Sequence, residues 1–124
     1  NIANDITQQV DGKIVACGTR SIGAFNDYLI VRLNNDGSLD NTFDSDGKKT
    51  VYTMSGDYQS GDGQANAVLV KPDGTIYVIG SAKLQYYNTA YMVVKISPDG
   101  SINMGSGNYG RWFYDTNYIT AQVG

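Results

Sequence analysis

The chain repeats itself. "ANDITQQVDGKIVACG", beginning at Ala3, lies over "ANAVLVKPDGTIYVIG", beginning at Ala65, an offset of 62 residues. Further on, "YLIVRLNNDGSLDNTFDSDGK" from Tyr28 lies over "YMVVKISPDGSINMGSGNYGR" from Tyr91 at an offset of 63, so one residue has been gained in between and the register is otherwise kept. "NYITAQV" from Asn117 matches "NDITQQV" from Asn4 and reads as the opening of a third copy. A fixed period of this length means that one supersecondary unit is used more than once, which outranks any reading of isolated segments.

Each copy reads as strands. The first has strands at 6–10 and 13–17 around the turn Asp11-Gly12, with Gly18 closing the second strand; its counterpart has strands at 67–71 and 75–79 around Pro72-Asp73-Gly74, closed by Gly80. Asp-Gly between short β-branched runs predicts a hairpin, because glycine takes the positive φ that the turn demands. Third strands at 27–33 and 90–96 lead into further Asp-Gly turns at Gly37 and Gly100, and fourth strands fall at 49–53 and 112–116. No stretch carries a capped helical period, so the chain is expected to be all-β. "IYVIG" and "YMVVKI" are apolar on both faces, as strands are in a sheet covered on both sides. Two four-stranded antiparallel repeats of about 62 residues that stack face to face predict β-propeller blades, one over about 3–54 and one over about 65–116, with 117–124 as the first strand of a third repeat or a closing strand. A two-sheet sandwich is the competing architecture, but it would not require repetition.

The segments "VDGKIVACG", "VRLNNDGSLDNTFDSDGK", "VKPDGTIYVIG" and "VVKISPDGSIN" resemble the bacterial delta-60 β-propeller repeat, in phase and over nearly the whole chain. That resemblance implies a non-catalytic scaffold with no catalytic residues to carry across, displayed outside the cell, on a cell surface or on a virion. The second copy departs from the pattern after Asn103, where "MGSGNYG" replaces "NTFDSDG" and removes the phenylalanine and the acidic residues.

Charge and composition narrow the function classes. A net charge of −3 with nine basic residues scattered along the chain offers no track for a phosphate backbone, so nucleic acid is not an expected partner. No run of about 18 apolar residues is present, so no membrane insertion by a helix is expected. The first residue is asparagine, and the chain is expected to be processed, excised or part of something longer. A lone cysteine, Cys17, excludes an intrachain disulfide and sits in "KIVACG" as a buried small hydrophobe would. With no histidine there is no ordinary Ser-His-Asp triad and no histidine metal site, so neither an enzyme nor a cofactor is expected.

Two sets of residues remain as candidates. The loop "NNDGSLDNTFDSDG", residues 34–47, gathers Asp36, Asp40, Asp44 and Asp46. Read as an EF-hand-like calcium loop with Gly47 as its glycine, it puts Thr42, Asp44 and Asp46 at ligand positions and Thr53 where glutamate belongs, so Asp40, Asp44 and Asp46 are weak metal candidates. The turn reading accounts for more: Asp36-Gly37 closes a hairpin, Ser38 and Asp40 bond nearby amides, and Leu39 and Phe43 point back at the blade. Paired carboxylates for a glycosidase would come from Asp40, Asp44, Asp46, Asp57 and Asp62. The aromatics Tyr58, Tyr86, Tyr87, Tyr109, Trp112 and Tyr114 lie outside the repeated core positions, as would a ligand-binding set for protein or sugar, or a blade-to-blade interface. "TRSIGAFND", "SAKLQYYNTA" and "SGDYQSGDGQ" break the repeat and are the loops on which recognition is expected.

Two repeats leave two apolar faces open, whereas about three or more are ordinarily needed for stability and propellers close with about four to eight blades. The expected partners are therefore other blades of a longer chain or copies of this one, a trimer giving six blades. The functional expectations are a structural or protein-binding propeller module, a lectin-like module closed by oligomerisation, or a glycosidase fragment acting through loop aspartates.

Overall fold

A computed structural model describes residues 1–23, 25–53, 62–83, 89–102 and 111–115. The described residues form two four-stranded sheets, each a meander. The first has the order β1 (Ile2–Gln8), β2 (Ile14–Ile22), β3 (Phe25–Leu33), β4 (Lys48–Val51); the second has the order β5 (Gln64–Val70), β6 (Ile76–Lys83), β7 (Thr89–Ile96), β8 (Arg111–Asp115). All pairings between neighbouring strands within the two sheets are antiparallel.

The Asp-Gly pairs turn the chain as the sequence predicts. Gly12, Gly37, Gly74 and Gly100 all sit near φ +90°, and in each turn the aspartate before the glycine accepts a backbone N–H two residues on: Lys13 to Asp11, Ser38 to Asp36, Thr75 to Asp73, Ser101 to Asp99. This Asx geometry mimics a backbone turn and fixes the hairpin register.

Strands β1–β3 and β5–β7 run longer than the sequence predicts, whereas β4 is one residue shorter. Gly18 and Gly80 do not close β2 and β6; both lie within them, and the chain continues as strand to Ile22 and Lys83. Their role is steric. A Cβ on Gly18 would lie 1.8 Å from the Ile2 carbonyl oxygen, and one on Gly80 would lie 1.9 Å from that of Gln64. Both carbonyls directly precede β-bulges, where the register shifts between Ala3 and Asp5 in one sheet and between Ala65 and Ala67 in the other, the same step of the repeat. "TRSIGAFND" is accordingly not an open loop: Thr19–Ile22 pairs with Phe25–Tyr28 around Gly23.

Core placement reveals how the sheets stack. From the first sheet Val15, Cys17, Tyr28 and Ile30 are buried, and from the second Val68, Ile76, Val78, Met92, Val94 and Ile96, in one cluster. These are opposite faces of the repeat unit. The repeat counterparts of Val15, Cys17, Tyr28 and Ile30 are Tyr77, Ile79, Tyr91 and Val93, which alternate with the buried Val78, Met92 and Val94 and lie on the outer side of the second sheet. The sheets therefore stack head to tail, the inner face of one against the reverse face of the next. Among the described residues no strand covers the two outermost faces, as the count of repeats implies.

Candidate interaction surface

The loop joining β3 to β4 is built as a clamp between the sheets. Asp40 is buried, and its Oδ2 accepts from Lys13 Nζ at 2.7 Å and from Arg32 Nε at 2.7 Å, while its Oδ1 accepts the Thr42 amide and hydroxyl. Burial would raise the Asp40 pKa; the hydrogen bonds from Lys13, Thr42 and Arg32 outweigh it and hold the carboxyl well below the usual carboxylate range. Arg32 has three partners besides Asp40. Its Nη2 reaches Thr42 Oγ1, its Nη1 donates to the Pro98 carbonyl of the second sheet's turn, and its guanidinium carbon lies 4.7 Å from the centroid of the fully buried Phe43 ring. The Asp44 amide donates to the Asp99 carbonyl at 2.8 Å, a second bond to that turn. Gly100 lets the two approach, since a Cβ there would sit 2.7 Å from the Asp44 nitrogen.

This geometry separates the candidate metal ligands. Asp40 is enclosed by cations, Asp44 pairs with Lys49 at 3.1 Å, and Asp46 accepts the Lys48 amide. Among the described residues no group of three or more His, Cys, Asp or Glu is placed to hold a metal ion. Asp62 accepts from Asn26 Nδ2 at 2.7 Å, and Asp57 lies outside the described residues. Leu39 corrects the reading of the loop's anchors: it is 39% exposed, and only Phe43 is a buried anchor.

Of the candidate aromatics, Tyr58, Tyr86, Tyr87 and Tyr109 lie outside the described residues, as does most of "SGDYQSGDGQ". Trp112 and Tyr114 fall in β8, in register with Val93 and Tyr91 respectively. A cleft of about 400 Å³ lies between the turns at Asp11 and Asp73 and is lined by Lys13, Arg32 and Lys71 among others. Its cations are already engaged: Lys13 and Arg32 by Asp40, and Lys71 3.9 Å from Asp73.

What the structure leaves open is apolar and broad. On the outer face of the second sheet Leu69 is 63%, Ile79 44% and Tyr91 56% exposed; on the outer face of the first, Ile6 is 65% exposed beside the half-buried Ile14, Ala16, Leu29, Val31 and Leu33. Exposed apolar area of this kind makes these two faces the candidate interaction surface. Composition alone did not single out these residues; the signal in the sequence was that "IYVIG" and "YMVVKI" fail to alternate.

The buried cysteine belongs to the core. Burial first, and the nearby Asp5 charge second, push the Cys17 thiol up to about 11, so it is protonated and inert.

Comparison with known families finds a match over residues 9–43 and 71–105, more than half of the chain, to the family described as a domain of unknown function (DUF5122) beta-propeller. The two matched stretches fall in corresponding parts of the two sheets and cover both Asp-Gly hairpins of each. No curated protein and no solved structure gives a significant match.

Proposed function

The chain belongs to the DUF5122 β-propeller family, the delta-60 repeat, and on that premise we propose that it is a non-catalytic structural module that works through the broad faces of its sheets. The observation that carries this reading is the contrast between its polar and apolar residues. Each of the four turn aspartates Asp11, Asp36, Asp73 and Asp99 is committed to its own turn, whereas Leu69, Ile79, Tyr91 and Ile6 are presented outward and exposed. A rigid adaptor needs stiff edges and adhesive faces, and the Asx turns and the Arg32–Asp40 clamp supply the stiffness. The resemblance to delta-60 repeats supports display outside the cell, on a cell surface or a virion.

Radical footprinting tests this. In the isolated chain at low concentration Ile6, Leu69, Ile79 and Tyr91 should be labelled, and in the assembly in which the module works their labelling should fall several-fold. A glycan-array signal abolished by Trp112→Ala or Tyr87→Ala, with the sheet faces still labelled in the working assembly, would instead establish the lectin-like function.

A further inference from the structure

The junction between the two sheets is a template for the faces that remain open. Tyr28 projects from the first sheet onto the second, its hydroxyl 3.2 Å from the Ser81 carbonyl and 3.4 Å from that of Met92, over Gly80, where a Cβ would stand 2.7 Å from the hydroxyl oxygen. Beside it Asn4, the extra residue of the β1 bulge, donates through Nδ2 to the Ala65 carbonyl at 2.7 Å. Every member of this lock has a repeat counterpart on an open face. Tyr91 stands for Tyr28 and is 56% exposed; Asn66, also exposed, stands for Asn4 as the extra residue of the β5 bulge. On the opposite outer face Gly18 stands for Gly80 within the same bulge geometry, and Ala3 stands for Ala65.

Resting on the reading of the chain as a propeller module, we propose that its partner is a second copy of itself, bound head to tail. The Leu69–Ile79–Tyr91 face of one copy docks on the Ile6–Ala16–Leu29 face of the next, with the Tyr91 hydroxyl over Gly18 and Asn66 donating to the Ala3 carbonyl. This continues the internal junction, and it closes when the blades number about four to eight, hence about two to four copies.

The two junctions are not equal. Asp5, whose carboxylate accepts the Val68 amide at 2.9 Å, has Ala67 as its counterpart, and Arg32, Asp40 and Phe43 are replaced by Lys95, Asn103 and Ser106. The contact between copies keeps the tyrosine and asparagine lock but lacks the clamp, so it forms and breaks with concentration while the internal junction does not.

Native mass measurement over a wide range of chain concentration tests the proposal. The expected result is a monomer that gives way to one closed multimer. Ile79→Asp and Ile6→Asp, both at exposed positions, should each leave the chain folded by circular dichroism and unable to close. Mixed together they should form a one-to-one dimer, because each retains the face the other lacks. Tyr91→Phe, which removes only the hydroxyl, should weaken association about tenfold. A wild-type chain that stays monomeric at every concentration would overturn the proposal and direct the faces to further blades of a longer polypeptide, leaving the module reading intact. A multimer sensitive to only one of the two aspartate substitutions would overturn the head-to-tail arrangement.

Discussion

Asp40 shows how one residue type serves two purposes at different depths. Asp36, Asp73 and Asp99 sit at exposed turns, and a Ser or Thr two residues on lowers the pKa of each, by the Ser38 hydroxyl, the Thr75 amide and the Ser101 hydroxyl respectively. Asp40 makes the same local bonds to Thr42 but is buried between Lys13 and Arg32. Replacing it with asparagine leaves two cations facing a neutral amide, and Asp40→Asn should lower stability by about 3 kcal/mol in urea unfolding. Because the folded carboxyl titrates below its unfolded value near 3.8, its contribution is complete above that pH and is lost as pH falls through the folded value. The wild-type protein should therefore lose stability in acid more steeply than the variant. The sequence disclosed Asp40 as a turn former, since Ser and Thr near Asp-Gly carry that signal. It did not disclose the clamp: Lys13 is 27 positions from Asp40 and meets it only once the first sheet has formed, and the Pro98 carbonyl, 66 positions from Arg32, is reached only after the sheets stack.

At the level of strands, glycine carries two messages that sequence alone does not separate. In the Asp-Gly turns it supplies a positive φ, and those hairpins were legible. In β2 and β6 it makes room for a carbonyl of the neighbouring strand, and reading Gly18 and Gly80 as strand ends cut both elements short. The cause is the bulge in β1 and β5, which displaces one residue in a way that no propensity registers. Gly80→Ala should cost about 3 kcal/mol, because the new methyl meets the Gln64 carbonyl and the Tyr28 hydroxyl. Gly23→Ala, at φ +60° with nothing within 4 Å, should cost about 1 kcal/mol, and thermal denaturation of the pair separates crowding from conformational strain.

For the molecule as a whole, the repeat in the sequence was sufficient to predict two antiparallel sheets with surplus apolar surface. It could not say which face of each would be covered, since Val15 and Tyr77 are equivalent by position and opposite in environment: the first is fully buried, the second on the outer face. If the uncovered faces meet between copies, folding and association are linked, and the thermal midpoint should rise with chain concentration. In Ile79→Asp that dependence should vanish, while the dilute-limit midpoint stays near that of the wild type.

The absence of a clamp sequence in the second repeat has a mechanical corollary. Where Arg32 and Phe43 rivet one seam, the second repeat has lysine and serine at the matching positions 95 and 106, so a seam between copies would rest on a hydroxyl, an amide and apolar contact. Pulled or heated, a ring so made would part at every second seam, shedding intact pairs of sheets as its unit of exchange.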